Sequence, residues 1–85
     1  MRLPLIKHIN EFVKENDEDY VEEAVELLEF LTESPNIKDE ELDVIGELLS
    51  NLQGSLEVQK MMKSGISEKE ANNEFMKRVM GSIDN

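Results

Sequence analysis

Residues 39–63 read DEELDVIGELLSNLQGSLEVQKMMK, a run of 25 residues without proline. Within it Leu42, Ile45, Leu49, Leu52 and Leu56 recur at alternating steps of three and four, which lines one face of an α-helix. Val44, Leu48 and either Val58 or Met62 widen that stripe. Asp39 is the expected N-cap, and Glu40 and Glu41 place negative charge at the positive end of the helix dipole. Lys63-Ser64-Gly65 reads as the other end, with glycine supplying a left-handed cap. A helix of this span is about 36 Å long. That is long for a chain of 85 residues, and it predicts an all-α bundle of four helices with one long central helix over about 39–63 as its spine.

Working outward, Ser34-Pro35-Asn36 ends whatever precedes the spine, because Pro35 disfavours helical geometry in the residue before it. A second helix is expected over about 18–32, opened by Asn16 and Asp17. Tyr20, Val21, Ala24, Val25, Leu27, Leu28 and Leu31 share one face of it, and Glu22, Glu26, Glu29 and Glu33 form an opposite, acidic one. Phe30 falls by helical phase on the acidic side, where it either covers a neighbouring helix or anchors a partner. The first helix is expected from Pro4, suited to a first turn, to about Glu15, with Leu5, Ile6, Ile9, Phe12 and Val13 on one arc. After the spine, Ser67-Glu68-Lys69-Glu70 matches a capping box. It opens a fourth helix to about Met80, with Ala71, Phe75, Met76, Val79 and Met80 on one side and Gly81 closing it. No segment alternates like a strand, no repeat recurs and no linker intervenes, so residues 1–85 are expected to form one helical domain.

The charge excludes several functions. Twenty acidic residues against nine basic ones give a net −11, where a nucleic-acid-binding domain needs a basic stripe. The excess is local: residues 16–33 carry −8 and residues 34–57 carry −5, while each end sums to +1. Any external partner of this acidic hairpin should be a basic, salt-sensitive protein surface. There is no cysteine, so disulfides and thiol chemistry are out. Neither a leader nor a membrane span is expected, since Met1 to Lys7 meets charge at Arg2 and Lys7 and the longest uncharged stretch covers only residues 48–56. These features lead us to expect a cytoplasmic protein.

Gly46, Ser50 and Gly54 lie four residues apart, forming a strip of small residues beside Leu49. Each internal glycine costs a helix about 1 kcal/mol relative to alanine, and close approach of another helix is the physical offset. Either the strip receives helix 1 or 4 inside the monomer, or it receives a second copy of the chain. Met61 and Met62, with Met76 and Met80, fill the core or form an adaptable docking surface.

Catalytic and metal templates fail on residue type. A calcium loop is broken by Tyr20 and Val21 in the run from Asp17 to Glu22. Di-iron bundles need Glu-x-x-His pairs, whereas the single histidine, His8, follows Leu5 at that spacing and reads as a boundary residue. Gly54-Ser55-Leu56 lacks the aspartate that precedes a carrier protein's prosthetic-group serine. With no triad and no glycine-rich phosphate loop, no catalytic residue, cofactor or metal is expected, and the chain is not expected to be an enzyme.

The runs at residues 3–8, 16–20, 38–48 and 74–84 resemble a short bacterial helical family known only as a domain of unknown function, over nearly the whole chain. Members tend to carry an aromatic residue where this chain has Gln53. The resemblance implies no activity, cofactor or catalytic residue, but it implies a redox-associated context, in which a protein without cysteine acts as a binding partner. Taken together, these features lead us to expect a homodimeric interaction or adaptor module. The alternative is an acidic carrier or accessory subunit of an enzyme system.

Overall fold

The computed structural model describes residues 2–84, with side chains described for residues 2–80. Four helices follow one another: α1 (Leu3–Glu15), α2 (Asp19–Leu31), α3 (Asp39–Lys63) and α4 (Glu68–Asp84). No strand occurs among the described residues. The Cα envelope measures 43 × 35 × 18 Å, its short dimension being that of two helix layers spaced about 8–10 Å apart.

The ends of the elements follow local chemistry, with two departures from expectation. Lys38, not Asp39, is the N-cap of α3: it is extended, and its N–H donates to the Glu41 carboxylate at 2.9 Å, half of a capping box. Asp39 therefore sits inside the first turn with Glu40 and Glu41. The second departure is Gly81, which does not close α4; the helix continues to Asp84. A glycine costs a helix about 1 kcal/mol, too little to end one by itself. Elsewhere the signals act as read. Gly65 takes the left-handed conformation at φ +106°, its N–H donating to Met62 O and the Ile66 N–H to Met61 O. Ser67 Oγ accepts from the Glu70 N–H at 3.2 Å, and Asp17 Oδ1 accepts from the Asp19 N–H at 3.2 Å.

The spine has two working faces. The leucine seam is half-buried at Leu42, Ile45, Leu49, Leu52 and Leu56, and α2 lies antiparallel on this side of α3. Gln53 donates to Glu29, and Lys63 at one end of α3 pairs with Glu18 near the start of α2. The fully buried residues of α3 lie on another line: Asn51, Gly54, Ser55, Val58 and Met61. There α1 and α4 pack, and Ile6, Val58, Met61, Ala71 and Phe75 make the apolar core, flanked by Met62, Ile66, Met76 and Val79. Every buried position of α3 falls in 51–61. α2 runs beside that same half, with Glu18 at Lys63 and Glu29 at Gln53, so the end of α2 and residues 39–50, which Arg2 meets at Glu47, form an arm extending from the packed end.

Candidate interaction surfaces

The small-residue strip divides along this line. A Cβ added to Gly54 would lie 3.0 Å from Ile6 Cδ1 and 3.1 Å from Phe75 Cζ, so α1 and α4 close on that glycine from within the chain. Gly54 is thereby withdrawn from the set of residues able to meet a partner, and so is the buried Met61, which fills the core. Gly46 is exposed and, among the described residues, no atom lies within 4 Å of where a Cβ would stand, so helix approach does not explain it there. Ser50 and Leu49 are half-buried between the two ends of the strip, and Met62 packs against the edge of the core.

On the arm the apolar side chains face water. Phe30 is 70% exposed and covers no neighbouring helix; Leu27 is 61% and Val44 59% exposed, with Leu31 and Leu48 less so. Leu31, Val44 and Ile45 line one surface depression. Leu27 is one turn before Leu31, and Leu48 one turn after Val44. With Glu29 beside Gln53, the exposed apolar positions follow one another along the hairpin, Val44 and Leu48 on α3 and then Leu31 and Leu27 on α2. Scattered exposed leucines are ordinary, whereas a contiguous set marks a contact surface. The strip continues toward α1 through Tyr20, whose ring meets that of Phe12 edge to face with centroids 5.9 Å apart. The helix-2 face read from sequence is thus split: Val21 is buried and Ala24, Val25 and Leu28 half-buried against α3, while Tyr20, Leu27 and Leu31 look outward.

The carboxylates Glu22, Glu26, Glu29 and Glu33 are all exposed. Part of the acidic excess is answered within the fold, because Glu18 accepts a hydrogen bond from Lys63 and this raises the Lys63 pKa. The contact of Lys14 with Glu68 at 2.6 Å raises the Lys14 pKa in the same way, joining the end of α1 to the start of α4. His8 is an exposed residue 3.7 Å from Glu11.

Sequence reasoning missed the polar component of the core. Asn10, Asn51 and Ser55 are fully buried and Asn72 is 3% exposed. Ser55 donates to Asn10 Oδ1 at 2.6 Å, Gln59 donates to the same oxygen at 3.2 Å, and Asn10 Nδ2 donates to Asn72 Oδ1 at 3.3 Å. Asn51 Oδ1 accepts from the Arg2 N–H at 2.8 Å, satisfying an otherwise orphaned donor ahead of α1, and its own amide donates to Glu47 O. The available signal was phase: Asn10 lies four residues after Ile6 and three before Val13, inside the apolar arc of helix 1. Ser55, held in this network, does not offer the accessible hydroxyl that a carrier's prosthetic group requires.

The sequence matches, over residues 1–84, a family described as a family of unknown function (DUF6952). The chain belongs to that family. The DUF6952 match spans the whole described fold, both the packed end and the arm. No match is found among curated proteins or among solved structures.

Proposed function

We propose that this protein is a non-enzymatic interaction module of the cytoplasm that acts as a homodimer, joined through the apolar strip of α2 and the first half of α3. The observation carrying this reading is the exposure of the apolar side chains Leu27, Leu31, Val44 and Leu48 on α2 and α3. A two-helix hairpin with one uncovered apolar side is incomplete as a packing unit. Pairing it with its copy about a two-fold axis yields a four-helix bundle, in which each strip buries the other. The same pairing enlarges the small core of an 85-residue chain, which on its own buries only about 60–65% of its unfolded surface.

Sedimentation equilibrium of the whole chain tests this reading. A dimer at micromolar concentration is expected, with Leu31→Glu and Val44→Glu each shifting it to a folded monomer by placing carboxylates in the seam. A wild-type monomer at high micromolar concentration would remove the proposal.

A second reading rests on the four exposed carboxylates of α2: an accessory subunit that docks on a basic surface of an enzyme. Capture of a partner lost on reversing Glu22, Glu26 and Glu29 to lysine, and on adding salt, would favour it. Capture unchanged by those reversals would count against it.

A further inference from the structure

At the end of the molecule away from the arm, α1 and the start of α4 border an open cleft of about 480 Å³. Its lining inverts the charge of the chain. Lys7, Lys14 and Lys69 meet only two carboxylates there, Glu11 and Glu68, in a protein whose net charge is −11. Lys14 and Glu68 satisfy each other at 2.6 Å. Lys7 and Lys69 have no ion-pair partner among the described residues.

The floor supplies a second, independent observation. Asn72 lines the cleft although only 3% of it is exposed. Its orientation is set from behind: Ser55 and Gln59 both donate to Asn10 Oδ1, so the Asn10 amide nitrogen must donate, and Asn72 receives it on Oδ1. The Asn72 amide nitrogen is left without a hydrogen-bond partner among the described residues. Every fully buried side-chain nitrogen and oxygen among those residues is satisfied, so this one retains access at the cleft. A buried amide whose acceptor end is fixed in the core, and whose donor end opens into a cleft that two uncommitted lysines also line, is a site for an acceptor-rich anion.

We propose that this cleft binds the phosphate group of a small molecule, with Asn72 Nδ2 as a neutral donor and Lys7 and Lys69 as the charged ones. A phosphate offers three outward oxygens to these three donors, which a chloride ion does not. The volume exceeds that of phosphate alone and leaves room for a small ester. The overall negative charge opposes the ligand and Glu11 does so locally, so affinity depends on the balance within the cleft, beyond which charges are screened over about 8–10 Å.

The test is titration of the full-length protein with inorganic phosphate and with glycerol 3-phosphate, followed by the Asn72 side-chain amide resonances. Sodium chloride at matched ionic strength serves as the control. Saturable shifts at Asn72 and Lys69 are expected, with Lys7→Gln and Lys69→Gln each weakening binding about fivefold or more and Glu11→Gln strengthening it. All three substitutions are at exposed positions and leave the fold intact. Tighter binding of the ester identifies a phosphate monoester as the ligand class, and equal binding identifies the free anion. Absence of saturation by about 10 mM of either probe, or affinity unchanged by both lysine variants, overturns the proposal.

Discussion

The Ser55 hydroxyl donates to Asn10 Oδ1 at 2.6 Å across 45 positions of sequence, and both residues are fully buried. Asn10 is the hub, because Gln59 and Asn72 bond to it as well. Replacing Ser55 with alanine leaves Asn10 Oδ1 a second donor and should cost about 1 kcal/mol. Asn10→Ala strands the Ser55 hydroxyl and the Asn72 carbonyl together and should cost about 2–4 kcal/mol. Urea unfolding of the two variants and their double mutant would reveal the shared partner as non-additivity. An Asn10→Ala cost no greater than that of Ser55→Ala would show that the amide is not a hub.

Two glycines of one helix should respond oppositely to alanine. At Gly46 nothing among the described residues lies within 4 Å of the added methyl, so the gain in helix propensity of about 1 kcal/mol is unopposed and the melting temperature should rise. At Gly54 the methyl meets Ile6 and Phe75 at 3.0–3.2 Å, both held in the core. Overpacking of about 1–3 kcal/mol then equals or exceeds the propensity gain, and the melting temperature should fall. Thermal scans of both variants decide this, and a stabilised Gly54→Ala would mean that the core relaxes more freely than its packing indicates.

Alkaline pH should weaken the fold through two lysines. Lys14 and Lys63 each have a pKa raised above 10.5 in the folded chain, Lys14 by its hydrogen bond to Glu68 and Lys63 by its hydrogen bond to Glu18. A raised folded-state value means their contribution is complete below about pH 10.5, the unfolded value, and is lost as pH rises through the folded values. Both groups are exposed, so the effect is modest and salt reduces it. Denaturant unfolding between pH 9 and pH 11.5, a window of about one unit either side of the lysine range, should show a steeper decline for the wild type than for the Glu18→Gln, Glu68→Gln double variant. Parallel profiles would mean that the ion pairs do not persist in solution.

Salt separates the two readings of the arm. Two chains of charge −11 repel each other, so a homodimer held by the apolar strip should tighten as sodium chloride rises from about 50 to about 500 mM, where screening shortens from more than 10 Å to less than 5 Å. A complex held by Glu22, Glu26, Glu29 and Glu33 against a basic surface should loosen over the same range. Sedimentation at the two salt concentrations measures the first, and a homodimer that dissociates with salt would contradict an apolar seam.

Residues 39–63 made the spine legible because 25 residues without proline, with capping chemistry at both ends, leave few alternatives to one helix. The misplacements were local. Asp39 and Lys38 are adjacent competitors for one cap, and Gly81 is a stop signal only when the chain beyond it has no reason to remain helical. The surfaces were read less well. Glu22, Glu26, Glu29 and Glu33 are exposed as their phase required, since charge selects water whatever the neighbours do.

What the sequence determined by itself was the set of four helices, their order, the acidic middle and the absence of thiol chemistry, all consequences of local periodicity and side-chain type. Only the tertiary structure decided which side of the spine became the core. The leucine seam went to α2 and stayed half-buried, while Asn51, Gly54, Ser55 and Val58 were fully enclosed by α1 and α4. Burial depends on how many helices converge on a position, and periodicity records only which residues share a face. For the same reason Gly46 and Gly54, alike in sequence, are an open surface and a tight contact. Leu31 and Val44, apolar by type, are left facing water.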